Sequence, residues 1–195
     1  RRVLFRSDDY YGDTRFHIPF IAWYQVMNAS LALTTMEVLK DRIPVTLEQL
    51  QAGIANTRWQ GRMETILPGV IVDGAHNEDG VRRFVETAER FQKEYPLTLL
   101  FSAVNDKDYQ DMIHTICSRI KFRKVVTTEV GGYREVPSAE LAEIFCKEGC
   151  KDVGNSDNIE EAFHMAHEAK GEDGMLFCVG SLYLVGEIKT LLLKK

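Results

Sequence analysis

The chain has 195 residues, a formal net charge of −5 and 45% hydrophobic residues, which gives room for a sizeable core and for one full domain plus part of another. The mildly acidic balance carries no basic stripe, which argues against a nucleic-acid surface. No run of about 18 apolar residues occurs, so no membrane-spanning helix is expected.

The first seven residues, "RRVLFRS", lack an initiating methionine and resemble the in-frame translation of a sequencing-library adapter. Arg1–Ser7 is therefore set aside from fold reasoning as a non-native scar. On that reading the chain is the tail of a longer protein. Residues 8–20 hold strand-like pieces without a clear pattern. From Ile21 to Lys40 the apolar positions Val26, Ala29, Leu31, Ala32, Leu33, Met36 and Leu39 recur at helical spacing. Pro44 closes that helix, because its predecessor is pushed out of helical conformation. The next segment, "TLEQLQAGIANT", opens with Thr46 as N-cap and Gln49 three residues on, the pattern of a capping box. Two helices therefore come first, with no sheet of their own, and a domain boundary is expected near Asn56 to Arg58.

Beyond it the pattern changes. "GRMETIL" and "GVIVDG" read as two strands joined by the turn Pro68-Gly69. Helix Glu78–Glu94 then precedes strand "LTLLFSAV", and helix Tyr109–Ile120 precedes strand "KVVTTEV". Helix Ser138–Cys146 precedes a weak strand near Asp152–Val153. Helix Ile159–Ala169 precedes "MLFCVG", and a last helix runs from about Ser181 to Leu193. This alternation predicts an α/β fold with a mostly parallel, Rossmann-like sheet covered by helices on both faces and right-handed crossovers.

In such a sheet, ligands bind outside the carboxyl ends of the strands. Polar residues cluster at several of those ends: Asp73 to Asn77 after "VIV", Asn105 to Asp108 after "LLFSAV", Gly131 and Gly132 after "TTEV", and Gly180 and Ser181 after "LFCV". Placement alone leaves two readings open for Asp73 and His76, ligand contact or turn and helix capping. Lys107 between two acids reads as a salt-bridged rim residue more readily than as a base. The chain contains no Walker-type G-x-x-x-x-G-K-[ST] loop, no G-x-G-x-x-G after a strand and no G-x-S-x-G elbow. His164 and His167 could share a helix face, but no third ligand is near them, so no metal site is expected; His17 and His114 stand alone. Of Cys117, Cys146, Cys150 and Cys178, only the pair in "CKEGC" is close in sequence. All four read as reduced thiols.

Five stretches in this order, "YQVMNASLAL", "RWQGRMETI", "VIVDGAHNEDG", "SAVNDKD" and "VGSLYLVGEIK", resemble the C-terminal part of folylpolyglutamate synthases and of their bifunctional form with dihydrofolate synthase activity. These are ADP-forming ligases of the Mur ligase superfamily. The resemblance covers roughly residues 21–195. It implies a remnant of the central ATP-binding domain over residues 8–57 and the glutamate ligase domain over 58–195. It implies a ligase using ATP with Mg2+, whose P-loop and metal site belong to a preceding region. It also implies L-glutamate and a folate as substrates, with dihydropteroate as acceptor in the bifunctional form, and a cytoplasmic monomer.

Carried over residue by residue, Asn28 matches the last asparagine of the family's "HQxxNA" motif, near the nucleotide, although Tyr24 stands where the motif has His. Arg62 matches the arginine of "GRxE" and would reach the ATP phosphates, where a guanidinium fork stabilises moving charge. Asp73 matches the acid of "DGAHN" and would accept hydrogen bonds from ribose, while Gly74 lets the backbone pass close to a ligand. His76 would lie close to nucleotide and incoming glutamate. Glu78 replaces the family's usual proline. Ser181 matches "GSLY" and would contact glutamate at a helix N-terminus. Asp106 and Lys107 would shape the site. The resemblance thus places the nucleotide in a cleft between two domains, faced by the strand that ends at Asp73. On that reading the chain alone is inactive. Two alternatives stay open: a free-standing α/β binding or regulatory module, and a different Mur-type amino acid ligase.

Overall fold

The computed structural model describes residues 2–4 and 11–193, so the leading segment Arg1–Ser7 falls largely outside the described residues. The chain divides into two compact units, Arg1–Gln60 and Gly61–Lys195. The division lies a few residues beyond the expected Asn56 to Arg58. Gly61 already belongs to the second unit, because its carbonyl accepts the Gly74 amide at 2.8 Å.

In the first unit, β1 (Arg2–Leu4) and β2 (Arg15–His17) pair antiparallel, followed by α1 (Tyr24–Val38) and α2 (Leu47–Asn56). The strand pair was not expected; three residues per strand are too few to show a periodicity. The start of α2 follows its residues: Thr46 Oγ1 accepts the Gln49 amide and Gln49 Oε1 accepts the Thr46 amide, a closed capping box. A small core forms around Tyr11, Phe16 and Leu33, packed by Leu47, Leu50 and Ile54. The Tyr11 hydroxyl donates to the Leu33 carbonyl at 2.6 Å, which satisfies the one polar atom of that buried ring.

The second unit is built on six strands: β3 (Glu64–Leu67), β4 (Val70–Asp73), β5 (Leu97–Phe101), β6 (Phe122–Thr127), β7 (Val153–Asn155) and β8 (Met175–Val179). Their spatial order is β3-β4-β8-β5-β6-β7. Only β3 runs antiparallel to its neighbour, across a turn in which Gly69 takes φ 71°. Between strands run α3 (Glu78–Phe91), α4 (Tyr109–Arg119), α5 (Ser138–Lys147) and α6 (Ile159–Lys170), and α7 (Leu182–Leu193) closes the unit. Helices α3, α4 and α5 pack side by side, and α6 packs on α7. Both faces of the central strands are therefore covered, which explains why "VIVD" and "LTLLF" are buried at every position.

On one face, Phe84 and Phe91 of α3 meet Phe177 edge-on at 5.5 and 5.6 Å, and Phe101 meets Phe145 at 5.3 Å. On the other, Ala162, Phe163 and Ala166 of α6 and Leu184, Val185 and Ile188 of α7 cover Val70, Val72, Leu176 and Cys178. Each fully buried Val, Leu, Ile or Phe side chain among them contributes about 1.5–3 kcal/mol. Three helix starts are written in the sequence: Asn77, Asp108 and Asn158 each accept an amide of the first turn.

The strand order positions the site. Strands β4 and β8 are parallel neighbours, with Asp73 opposite Val179. The chain leaves β4 into α3 on one face and leaves β8 into α7 on the other. Diverging exits at neighbouring strands open a crevice at their carboxyl ends, where doubly wound sheets bind ligands.

Candidate active site

The Arg62 loop leads into β3. Gly61 takes φ 65° and Met63 takes φ 45°, a left-handed conformation that costs an ordinary side chain about 1–2 kcal/mol. Four hydrogen bonds hold it. Asp73 Oδ2 accepts the Met63 amide at 2.8 Å, and Asp73 Oδ1 accepts the Ala75 amide at 2.8 Å. Gly61 O accepts the Gly74 amide at 2.8 Å, and Glu64 Oε2 accepts the Gly61 amide at 2.7 Å. Glu64 is in turn held by Lys189 of α7, at 2.8 and 3.0 Å from its two carboxylate oxygens.

This loop sets Arg62 over the end of β4. A Cβ at position 74 would stand 3.2 Å from Arg62 Nη1 and 2.1 Å from Leu182 Cδ2. A side chain at position 74 would have to displace Leu182, whose own side chain fills that space. Arg62 is half-buried, and among the described residues no carboxylate pairs with it. A guanidinium at a strand end without an acidic partner among the described residues fits an anionic ligand such as a phosphate group.

Asp73 lies at the end of β4. It is 3% exposed, and each oxygen is engaged by a backbone amide. In this unit its carboxylate ties the Arg62 loop to the end of β4. His76 follows, with Nδ1 at 2.7 Å from the Gly74 carbonyl. A carbonyl only accepts, so Nδ1 carries a proton and donates to it.

Across the crevice, Gly180 takes φ 108°, and a Cβ there would lie 2.1 Å from the Ser102 carbonyl. This close approach brings the ends of β8 and β5 together. Ser181 is 2% exposed, and its Oγ accepts the Tyr183 amide at 3.1 Å, capping α7. The Ser181 hydroxyl proton remains available for donation.

Asp106 belongs to a network that sequence reasoning missed. Arg134 Nη1 lies 3.1 Å from Asp106 Oδ2, and Arg134 Nη2 donates to the Tyr183 hydroxyl at 3.0 Å. The loop after β5 is thereby linked to the first turn of α7. Arg134 sits two residues beyond Gly131-Gly132, at a strand end; that position was the available signal. Lys107 lines a shallow surface depression with Asn105, Asp106, Asp108, Tyr109 and Gln110. Asn28 lies in the first unit, where Nδ2 donates to Gln25 Oε1 at 2.9 Å. There it lines a pocket of about 130 Å³ with Ile18, Phe20, Ile54 and Trp59.

The structure thus groups Arg62, Asp73 and Gly74 with the first turn of α7, and joins Asp106 to that turn through Arg134. His164 and His167 do not pair: His164 lies 3.9 Å from Glu160, and His167 packs on Phe163. Among the described residues no group of three His, Cys, Asp or Glu is arranged to hold a metal ion.

The Mur ligase glutamate ligase domain matches residues 61–182, from the Arg62 loop to the first residue of α7. The chain belongs to this family. It is 30% identical over 187 residues to the dihydrofolate synthase/folylpolyglutamate synthase of Bacillus subtilis, covering 92% of this chain and 41% of that protein. It is 28% identical over 175 residues to a probable bifunctional folylpolyglutamate synthase/dihydropteroate synthase of Haloferax volcanii, covering 89% of this chain and 20% of that one. Among solved structures, folylpolyglutamate synthase of Mycobacterium tuberculosis complexed with ADP and AMPPCP aligns with TM-score 0.77 and 26% identity, over 93% of this chain and 42% of that chain. The Thermotoga maritima enzyme aligns with TM-score 0.73, 26% identity and the same coverage. The chain thus spans about two-fifths or less of each of these relatives. The family expected from the motifs and the mostly parallel α/β fold are both found.

Proposed function

We propose that this chain is the glutamate-binding part of an ATP-dependent ligase that joins L-glutamate to the γ-carboxylate of folates through an acyl phosphate. The observation that carries this reading is at the carboxyl ends of β4 and β8. There the Arg62 guanidinium, which has no acidic partner among the described residues, stands beside a serine-capped helix N-terminus. Arg62 reaches the phosphates and stabilises charge as it moves between oxygens. Ser181 and the first amides of α7 bind the glutamate carboxylate. His76, protonated at Nδ1, accepts from the glutamate amino group through Nε2 and helps present its lone pair to the acyl carbon. Asp73 and Glu64 keep Arg62 in place, and Asp73 stands at the strand end where the motif implies a ribose contact. Asp106, through Arg134 and Tyr183, steadies the first turn of α7, with Lys107 at the same rim. Asn28 serves nucleotide binding from the first unit.

ATP with Mg2+ supplies the phosphoryl group. Because the sequence contains no Gly-Lys-Ser type phosphate loop, the 195-residue chain alone has no turnover. The enzyme works as a cytoplasmic monomer on ATP, glutamate and folate. No helix among the described residues is long and apolar enough to cross a membrane. The test is ATP-dependent incorporation of labelled glutamate into a reduced folate, measured for this chain alone and for a full-length ligase ending in it. Turnover is expected only in the second. Turnover by the chain alone, or none with glutamate in the longer protein, overturns the reading.

A further inference from the structure

The four cysteines are spread over the second unit, and their pairing in space differs from their pairing in sequence. Cys146 and Cys150 are neighbours in "CKEGC", yet Cys146 is exposed and makes no sulfur contact. The close pair is Cys117 of α4 and Cys150 of the turn after α5, with Sγ atoms 3.6 Å apart and 33 positions between them. Cys178 is fully buried in β8.

We propose that Cys117 and Cys150 form a reversible disulfide modification site, oxidised by a hydroperoxide. An S–S bond needs the sulfurs to close by only about 1.6 Å, within reach of a side-chain rotation at a helix end and a turn. Cys150 is the half-exposed member and meets the oxidant first, while Cys117, 5% exposed, waits behind it as the resolving thiol. The electrostatics agree with this order. Hydrogen bonding from Cys117 and the nearby Lys121 ammonium favour the Cys150 thiolate, opposed by burial and by Glu148. The same hydrogen bond, and burial, push the Cys117 thiol up. Glu148 is itself held by His114 at 2.9 Å.

In the first step the Cys150 thiolate attacks the peroxide O–O bond. This gives a Cys150 sulfenic acid and releases hydroxide, or alkoxide from an organic peroxide. In the second, the Cys117 sulfur attacks the Cys150 sulfur, the S–S bond forms, and the sulfenic oxygen leaves with the Cys117 proton as water. Two thiols are oxidised by two electrons and one peroxide is reduced. Both residues lie toward the amino ends of the strands, on the rim opposite the crevice, because α4 ends where β6 begins. The bond would pin α4 to the α5–β7 turn without entering the active site.

The test treats the native 195-residue protein with hydrogen peroxide, then denatures and alkylates it with N-ethylmaleimide before mass spectrometry. Two of the four cysteines should escape alkylation, with one peptide pair linked through Cys117 and Cys150. Dithiothreitol should restore all four, and the melting temperature of the oxidised form should be higher, because a long loop is closed. Cys146→Ser should keep the link, and Cys150→Ser should abolish it and leave Cys117 alkylated. A link through Cys146, or oxidation of Cys146 alone while Cys117 and Cys150 both remain alkylatable, overturns the proposal.

Discussion

Replacing Asp73 by Asn removes one acceptor from a buried position where two are used. Asp73 is 3% exposed and accepts the Met63 and Ala75 amides, each at 2.8 Å. Asparagine keeps one carbonyl oxygen but turns an NH2 group toward the other amide. A hydrogen bond to a charged group contributes about 1.5–3 kcal/mol, so Asp73→Asn should destabilise the chain by about that amount. Asp73→Ala orphans both amides and should cost about 3–6 kcal/mol, most of a small domain's margin. It also frees Met63 from its left-handed φ of 45°, so the loop that aims Arg62 relaxes. Urea unfolding followed by far-UV circular dichroism measures the loss. Hydrogen exchange at the Met63 and Ala75 amides localises it, and both should exchange faster in Asp73→Asn. If Asp73→Asn unfolds within about 0.5 kcal/mol of the parent with those amides still protected, Asp73 is not the clamp.

In a full-length ligase ending in this chain, Ser181→Ala should raise the KM for glutamate about tenfold or more and leave the KM for ATP nearly unchanged. Losing the cap of α7 should also lower stability by about 1 kcal/mol. Equal effects on both substrates would show that Ser181 is only a cap. Gly180→Ala should not yield folded protein, because its Cβ would sit 2.1 Å from the Ser102 carbonyl with φ at 108°; a soluble variant with a parental melt would refute the close approach of β8 and β5. Gly74→Ala should displace Leu182 and Arg62 and lower kcat more than it raises the KM for ATP, as steady-state kinetics would record.

Much of this architecture is legible because its signals are local. The capping box at Thr46 and the caps at Asn77, Asp108 and Asn158 depend on residues three apart, and each forms as written. The alternation of apolar runs with helical periods shows the α/β class and places Asp73, Asp106 and Ser181 at strand ends. What is not legible depends on distant partners. Strand β8 inserts between β4 and β5, and only that insertion brings the α7 cap beside Gly74, about a hundred positions away in the chain. Nothing near Met63 announces a left-handed methionine, so the clamp by Asp73 is invisible until the fold is known. The same holds for the ion pair of Arg134 with Asp106 and for the meeting of Cys117 with Cys150, whose neighbour in sequence, Cys146, is exposed. Strand Arg2–Leu4 lies in the segment set aside as a scar, and its partner Arg15–His17 is too short to carry a period.

The central claim is that the half-buried guanidinium at the end of β4 serves phosphoryl chemistry and not the fold. The most direct measurement is kcat for ATP-dependent glutamate addition by a full-length ligase ending in this chain, with Arg62 and with Arg62→Ala, beside a thermal melt of each. Because Arg62 has no acidic partner among the described residues, the melt should hardly change, while kcat falls by roughly 10²–10³, the loss expected for one group that stabilises transition-state charge. Arg62→Lys should recover only part, for want of the planar fork. Turnover by Arg62→Ala within about threefold of the parent, or a loss of activity matched by a collapsed melt, would contradict the account.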